Sequence, residues 1–88
     1  MAWTIKYTDT AFAQLRKFDK QTARRIVDFM DERVAVLEDP RARSKALVGP
    51  LGGFWRYRVG DYRIICDIHD DELLILVVKI GNRRDVYR

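Results

Sequence analysis

Residues 54–65 read FWRYRVGDYRII, and this stretch decides the fold. Apolar and basic side chains alternate on both sides of Gly60-Asp61, which is typical of two β-strands that each bury one face. A two-residue loop rich in glycine and aspartate joins antiparallel strands and sets their register. The stretch therefore predicts a hairpin in which Arg58 lies directly opposite Arg63, on the face away from the aromatic residues.

Two further strands are predicted outside this hairpin. The second hairpin strand runs over residues 62–69, and Asp70-Asp71 then forms a short turn into a strand over residues 72–80. This pairing places Lys79 near Tyr62 and Val78 near Arg63. Near the start of the chain, Trp3, Ile5 and Tyr7 alternate with polar residues and predict a short strand at a sheet edge.

A helical hairpin is predicted between the first strand and residue 40. Residues 8–10 supply capping side chains for a short helix, and Asp19 caps a longer helix that ends before Pro40. The apolar positions have helical spacing: Phe12, Leu15 and Phe18 in the first helix, then Ala23, Ile26, Val27, Met30, Val34 and Leu37. Residues 41–53 are a turn-rich connector. We expect one α+β domain over residues 1–88, with about four antiparallel strands and the helical hairpin on one face.

Three arginines share the exposed face of the predicted hairpin. Arg56 lies two residues from Arg58 on the side of Arg63, and we call this side of the sheet the arginine face. Like charges directly opposite each other cost roughly 0.2–1 kcal/mol, whereas guanidinium groups suit phosphate oxygens. The pattern indicates a phosphate site. The alternative is that arginines on an exposed strand serve only solubility.

Basic residues near the end of the chain lie beside this face in the predicted pairing. They are Lys79, Arg83, Arg84 and Arg88. Tyr87 follows in the same segment, and a tyrosine beside basic groups can stack on a nucleic-acid base or exchange a proton. The alternative is a solvated terminus with no role.

Composition limits the function classes. There are 17 Lys+Arg against 13 Asp+Glu, a net charge of +4, which favours polyanionic partners. The single cysteine, Cys66, excludes an internal disulfide, and no signal peptide or membrane span is predicted, so we expect a cytoplasmic protein. No metal-ligand spacing or phosphate-binding glycine loop occurs, so we expect neither metal nor cofactor.

The whole chain resembles the RelE/ParE superfamily of type II toxins. The resemblance is carried by residues 54–65, an arginine-bearing hairpin with Gly-Asp-Tyr-Arg, and by residues 78–87, VKIGNRRDVY, which are similar to the RelE-type ending. It implies a RelE-like microbial RNase fold. It also implies a metal-independent endoribonuclease that cleaves messenger RNA in the ribosomal A site, through attack of a 2′-hydroxyl on the adjacent phosphate.

The resemblance also implies residue roles and partners. Arg63 and Arg83 would clamp the scissile phosphate, Tyr87 would stack on a base or activate the 2′-hydroxyl, and Arg58 would stabilise the leaving oxygen. Arg56, Lys79 and Arg84 would bind substrate. RelE-type toxins carry lysines at the positions of Arg56 and Arg58, and a guanidinium effectively does not titrate.

The expected partners are the ribosome with its mRNA, a RelB-like antitoxin and, through the antitoxin complex, operator DNA; no membrane is expected. An exposed apolar strip of Ile65, Leu74, Leu76 and Val78 would suit the antitoxin. Two alternatives stay open: a ParE-like inhibitor of DNA gyrase, and a nucleic-acid-binding protein without catalytic activity.

Overall fold

A five-stranded sheet carries a helical hairpin on one face in the computed structural model. The structure describes residues 2–87, so Arg88, predicted to add charge to the tail, lies outside them. The elements are β1 (Thr4–Tyr7), α1 (Asp9–Lys17), α2 (Lys20–Phe29), β2 (Lys45–Ala46), β3 (Trp55–Val59), β4 (Tyr62–His69) and β5 (Leu74–Asn82). The strand order is β1-β5-β4-β3-β2, with β1 parallel to β5 and every other pair antiparallel. The α+β prediction is confirmed. Neither helix within residues 2–87 is long and apolar enough to cross a membrane.

Both helices begin at the predicted capping residues. The Thr8 side chain accepts a hydrogen bond from the backbone N–H of Ala11 at 3.1 Å, and the Asp19 carboxylate accepts one from Thr22 at 3.1 Å. These contacts satisfy amide groups that a helix N-terminus leaves unpaired. The caps separate α1 from α2 and allow the chain to reverse direction between them.

The core lies between the helices and one face of the sheet. Its fully buried members include Ile26, Met30 and Val34 from the longer helix and its π-helical extension, and Tyr57, Ile64, Cys66, Ile75 and Val77 from the strands. The expectation for Phe12 was wrong, because this side chain is 53% exposed. The Thr8 cap sets the phase of α1 so that Ala11, in place of Phe12, faces the sheet together with the predicted Leu15, four residues further on.

The connector contains a strand that the sequence pattern did not predict. Lys45 and Ala46 pair with Arg56 and Trp55, so the sheet has five strands instead of about four. Two residues are too few to show an alternating pattern. The buried Tyr57 hydroxyl anchors the connector by donating a hydrogen bond to the carbonyl of Pro40 at 2.8 Å.

The turn between β4 and β5 is longer than predicted, and this changes the register of β5. A 3₁₀ turn over Asp70–Glu72 is followed by Leu73 in the left-handed conformation (φ 48°), so the next strand starts at Leu74. An irregularity opposite Ile65 and Cys66 adds one more residue, Val78, to β5. The predicted partners of Val78 and Lys79 were therefore wrong.

The corrected register places a lysine on the arginine face. Lys79 is the cross-strand partner of Ile65, and Gly81 is the partner of Arg63. Without the extra residue, alternation would have directed Lys79 to the core face. The bulge thus moves one cation to the side of the sheet that carries the arginines.

Candidate functional site

Arg58 and Arg63 form the centre of the arginine face. They are direct cross-strand partners in the β3–β4 hairpin, as predicted. Cross-strand partners point to the same side of a sheet, and Arg58 is flanked along its strand by Tyr57 and Val59, which are buried in the core. The two guanidinium groups are therefore directed away from the helices, to the opposite surface of the sheet.

Arg63 is held in place by backbone carbonyl groups. Its Nη1 atom donates to the carbonyl oxygens of Gly60 and Tyr62, each at 3.1 Å. The residue is only 7% exposed. Carbonyl oxygens orient a guanidinium but carry no full negative charge. Arg63 is thus a buried cation whose charge these contacts leave uncompensated.

The surroundings of Arg63 are unfavourable for its charge. Burial is the largest cause that lowers its pKa, and repulsion from Arg58 and then Arg56 lowers the pKa further. Arg83 adds to the repulsion, while a Tyr87 phenolate would act in the opposite direction. A guanidinium remains protonated despite such a shift. Basic groups from two strands and the tail therefore act together on the charge of Arg63.

The tail turns back beside Arg63. The backbone N–H of Arg83 donates to the carbonyl of Asp61 at 2.8 Å, and that of Val86 donates to Asn82 at 3.0 Å. Val86 is 1% exposed. A Cβ built on Gly81, which points to the side of Arg63, would lie 3.4 Å from the Val86 Cβ. The segment is therefore docked on the arginine face, not frayed into solvent.

The remaining predicted site residues differ in how closely they approach this cluster. Arg56 is half-buried, and its Nε atom has no hydrogen-bond partner among residues 2–87. Tyr87 follows the buried Val86 and is 45% exposed, so its ring is accessible to a ligand. Arg84 is exposed in the turn that follows β5, and its backbone N–H donates to the Asn82 side chain at 3.1 Å. No contact among residues 2–87 draws the Arg84 side chain toward Arg63.

Sequence reasoning missed Lys45 and misjudged Ile65. Lys45 lies beside Arg56 on the arginine face, but its strand could not be recognised from two residues. Ile65 was expected in an exposed apolar strip and is instead 1% exposed. It lies between Arg56 and Lys79, whose aliphatic stems can cover an apolar neighbour while their charges stay outside. Leu74 and Leu76, also expected in the strip, are half-buried.

The arginines at the centre of the site differ from other basic residues in their partners. Ion pairs within residues 2–87 join Arg24 to Asp28, Arg41 to Asp39 and Asp70, and His69 to Asp67. None of these pairs includes Arg56, Arg58, Arg63 or Arg83. Guanidinium groups that converge without carboxylates are suited to bind a phosphate and to stabilise negative charge that develops on it.

Comparison with known proteins identifies the family and agrees with this fold. Residues 5–87 match the family model for the ParE toxin of type II toxin-antitoxin systems, parDE. Toxin RelG of Mycobacterium tuberculosis is 27% identical over 88 residues, which cover all of this chain and 99% of that protein. The chain therefore belongs to the RelE/ParE superfamily, and it is a toxin of the type II toxin–antitoxin class.

Solved structures show the same architecture. The toxin-antitoxin complex RelBE2 of Mycobacterium tuberculosis contains a chain with a TM-score of 0.86 and 25% identity, covering 97% of this chain and 95% of that one. The intact E. coli RelBE complex matches with a TM-score of 0.69 and 19% identity, over 92% and 96% of the two chains. The YoeB/ParE toxin from Agrobacterium tumefaciens matches with a TM-score of 0.68 and 13% identity, over 90% of this chain and 96% of that one. The last two share the fold.

Proposed function

We propose that this toxin is a ribosome-dependent endoribonuclease that cleaves messenger RNA in the ribosomal A site. The observation that carries the proposal is the convergence of Arg56, Arg58 and Arg83 around the buried Arg63, without an acidic partner among residues 2–87. A ligand with dense negative charge is the natural counterpart of such a cluster. The RelE character of Toxin RelG and of RelBE2 supports an RNA phosphate as that ligand.

The proposed reaction uses the substrate's own 2′-hydroxyl as nucleophile. Its oxygen attacks the adjacent phosphorus, the bond to the 5′-oxygen breaks, and the products are a 2′,3′-cyclic phosphate and a 5′-hydroxyl end. Arg63 and Arg83 hold the phosphate oxygens and stabilise the additional charge of the transition state. Arg58, exposed on the neighbouring strand, neutralises the developing charge on the leaving 5′-oxygen.

Tyr87 supplies proton transfer in this proposal. A guanidinium does not release a proton, so the proposal assigns proton transfer to the phenol of Tyr87, in the tail segment whose backbone bonds to Asp61. In its phenolate form the group accepts the proton of the 2′-hydroxyl, and a solvent water molecule gives a proton to the leaving 5′-oxygen. Arg56, Lys79 and Arg84 bind the flanking backbone of the substrate.

The proposal includes a RelB-like antitoxin as the partner that restrains the toxin. RelBE2 and the E. coli RelBE protein were both solved as toxin-antitoxin complexes. An acidic segment of the antitoxin would neutralise the same cations that bind RNA. Through that complex the toxin would also contact operator DNA, while the free toxin would act on ribosomes in the cytoplasm.

A second function is favoured by one observation. The description of the family model that matches residues 5–87 names the ParE toxin of parDE systems. This description leaves inhibition of DNA gyrase as the alternative function. That function requires a protein-binding surface and does not require the tail tyrosine to face a phosphate site. The docked position of the tail beside Arg63 supports the ribonuclease over this alternative.

Mapping RNA 5′-ends after brief expression separates the candidates. The ribonuclease predicts new 5′-ends within translated reading frames, at a fixed position relative to the codon, and loss of those ends when a drug prevents ribosome loading. A gyrase inhibitor predicts a DNA-damage response with intact messenger RNA. A protein that only binds nucleic acid predicts neither result, and either of the last two outcomes would overturn the proposal.

A further inference from the structure

Cations on the arginine face lie in two parallel rows that run across the strands. The first row consists of Arg58, Arg63 and the Gly81 position, where the tail docks. The second row consists of Lys45, Arg56, Ile65 and Lys79. Neighbouring rows on one face are two residues apart along a strand, or about 6.6 Å. Two phosphates of one strand can lie one over each row, because basic surfaces that bind single strands follow the backbone.

The second row has the properties of a binding surface in its own right. Lys45 and Arg56 form no ion pair with a carboxylate of residues 2–87, and the Arg56 Nε is fully buried without an acceptor. The rest of the half-buried Arg56 side chain stays partly accessible, so its charge is open to an anion from solvent. Ile65, 1% exposed between Arg56 and Lys79, gives the row an apolar floor.

The next row along β4 limits the basic surface. It carries Asp67, whose carboxylate lies 2.9 Å from Nε2 of His69. The basic side chain of that row among residues 2–87 is Lys6, which lies at its far end, beyond Leu76. A phosphate placed over Asp67 would be repelled, so the basic strand positions of this face are confined to two rows.

From this geometry we infer that the toxin binds two successive backbone phosphates of a single-stranded RNA, and that Lys45 on β2 is a contact to the second of them. The inference rests on the proposed function for the identity of the first phosphate, which Arg63 and Arg83 hold. The second phosphate lies over Lys45 and Arg56 and takes no part in bond cleavage. Lys45 thus positions the RNA strand and is not assigned a chemical step.

Salt-dependent binding tests this contact. The ligand is a short single-stranded RNA with a 2′-deoxy substitution at each nucleotide that would otherwise be cleaved, so binding is measured without reaction. For single strands, each phosphate contact contributes about 0.7 to the slope of log K against log salt concentration. We expect Lys45→Ala to reduce the slope by about 0.7, Lys45→Arg to keep it, and Lys20→Ala, an exposed lysine on α2, to leave it unchanged.

Replacement of one RNA phosphate by an uncharged methylphosphonate shows which phosphate Lys45 contacts. RNAs that carry one methylphosphonate at successive positions are compared with the wild-type protein and with Lys45→Ala. In Lys45→Ala, the loss of affinity caused by the methylphosphonate should disappear at one position only. This position should be next to the one at which the loss disappears in Arg63→Ala. A wild-type slope for Lys45→Ala, or equal losses at every position in both proteins, overturns the inference, as does the absence of measurable RNA binding by the wild type.

Failure of the inference is distinguishable from failure of the proposed function. Cleavage of ribosome-bound messenger RNA is measured with the same wild-type preparation. Cleavage with an unchanged slope for Lys45→Ala keeps the nuclease and removes the second phosphate contact. A reduced slope without any cleavage by the wild type keeps the two-phosphate surface and removes the nuclease.

Discussion

Arg58 and Arg63 lie directly opposite each other on neighbouring antiparallel strands, and neither forms an ion pair with a carboxylate of residues 2–87. A sheet that served stability alone would place opposite charges or apolar groups at such a position. The pair therefore destabilises the free protein and favours a ligand that carries negative charge. Stability and binding make opposite demands at this position.

Removing the exposed member of the pair should stabilise the fold. Arg58→Gln relieves the repulsion that acts on Arg63, so we expect the free energy of unfolding to rise by roughly 0.2–1 kcal/mol. The gain should shrink as salt screens the charges. Denaturant unfolding at low and high ionic strength measures it, with Arg33→Gln, an exposed arginine in the π-helical extension of α2, as the control. Lower stability of Arg58→Gln at low salt would show that the pair is not repulsive.

The docking of the tail should depend on the small size of Gly81. Gly81→Val places methyl groups where Val86 packs, because even a Cβ at this position lies 3.4 Å from the Val86 Cβ. The displaced tail moves Arg83 and Tyr87, and misplacement by about 1 Å can cost 10²-fold in rate. Messenger RNA cleavage by Gly81→Val is compared with Gly81→Ala, which should remain close to the wild type. Equal activity of the two variants would contradict the proposed role of the tail.

Tyr87→Phe tests proton transfer separately from stacking. The phenylalanine ring can still stack on a base, but it cannot accept a proton, so we expect cleavage to fall by about 10²-fold. Tyr87→Ala should fall at least as far. RNA affinity under non-cleaving conditions should be nearly unchanged in Tyr87→Phe. If the phenylalanine variant cleaves at the wild-type rate, the tyrosine acts only by stacking.

Acid should weaken the contact between the connector and the β4–β5 turn. Arg41 donates two hydrogen bonds to Asp70, at 3.0 and 2.6 Å, and these hold the pKa of the Asp70 carboxyl below its ordinary value. A carboxyl with a lowered pKa in the folded state stabilises the protein above its unfolded-state pKa, and this contribution is lost as pH falls below about 4. The melting temperature should therefore decrease between pH 6 and pH 3 by less in Asp70→Asn than in the wild type. An identical decrease would show that the pair does not couple folding to pH.

The hairpin at the centre of the site was predictable because its signals are local. Gly60-Asp61 sets the turn, and alternation places Arg58 opposite Arg63 without reference to the rest of the chain. The same holds for Thr8 and Asp19, whose side chains cap helices within three residues. The exposure of Phe12 was missed because helical spacing alone leaves the phase of a short helix open.

The second row of the site could not be predicted, since it depends on long-range pairing. β2 is two residues long, so only its pairing with β3 defines it and places Lys45 beside Arg56. Lys79 reaches the arginine face through a four-residue turn and a bulge at Val78, neither of which has a clear signature in the sequence. Burial of Ile65 follows from the side chains on neighbouring strands. Each of these features became visible only with the sheet assembled.

The rate at which purified protein cleaves messenger RNA on programmed ribosomes tests the central claim most directly. Arg63→Ala and Arg83→Ala remove the groups that hold the phosphate, whereas Arg24→Ala removes an arginine whose side chain is 82% exposed on α2. We predict that each of the first two variants loses about 10²-fold or more in single-turnover rate and that the third cleaves like the wild type. Wild-type rates for folded Arg63→Ala and Arg83→Ala would contradict the claim that these arginines stabilise the reacting phosphate.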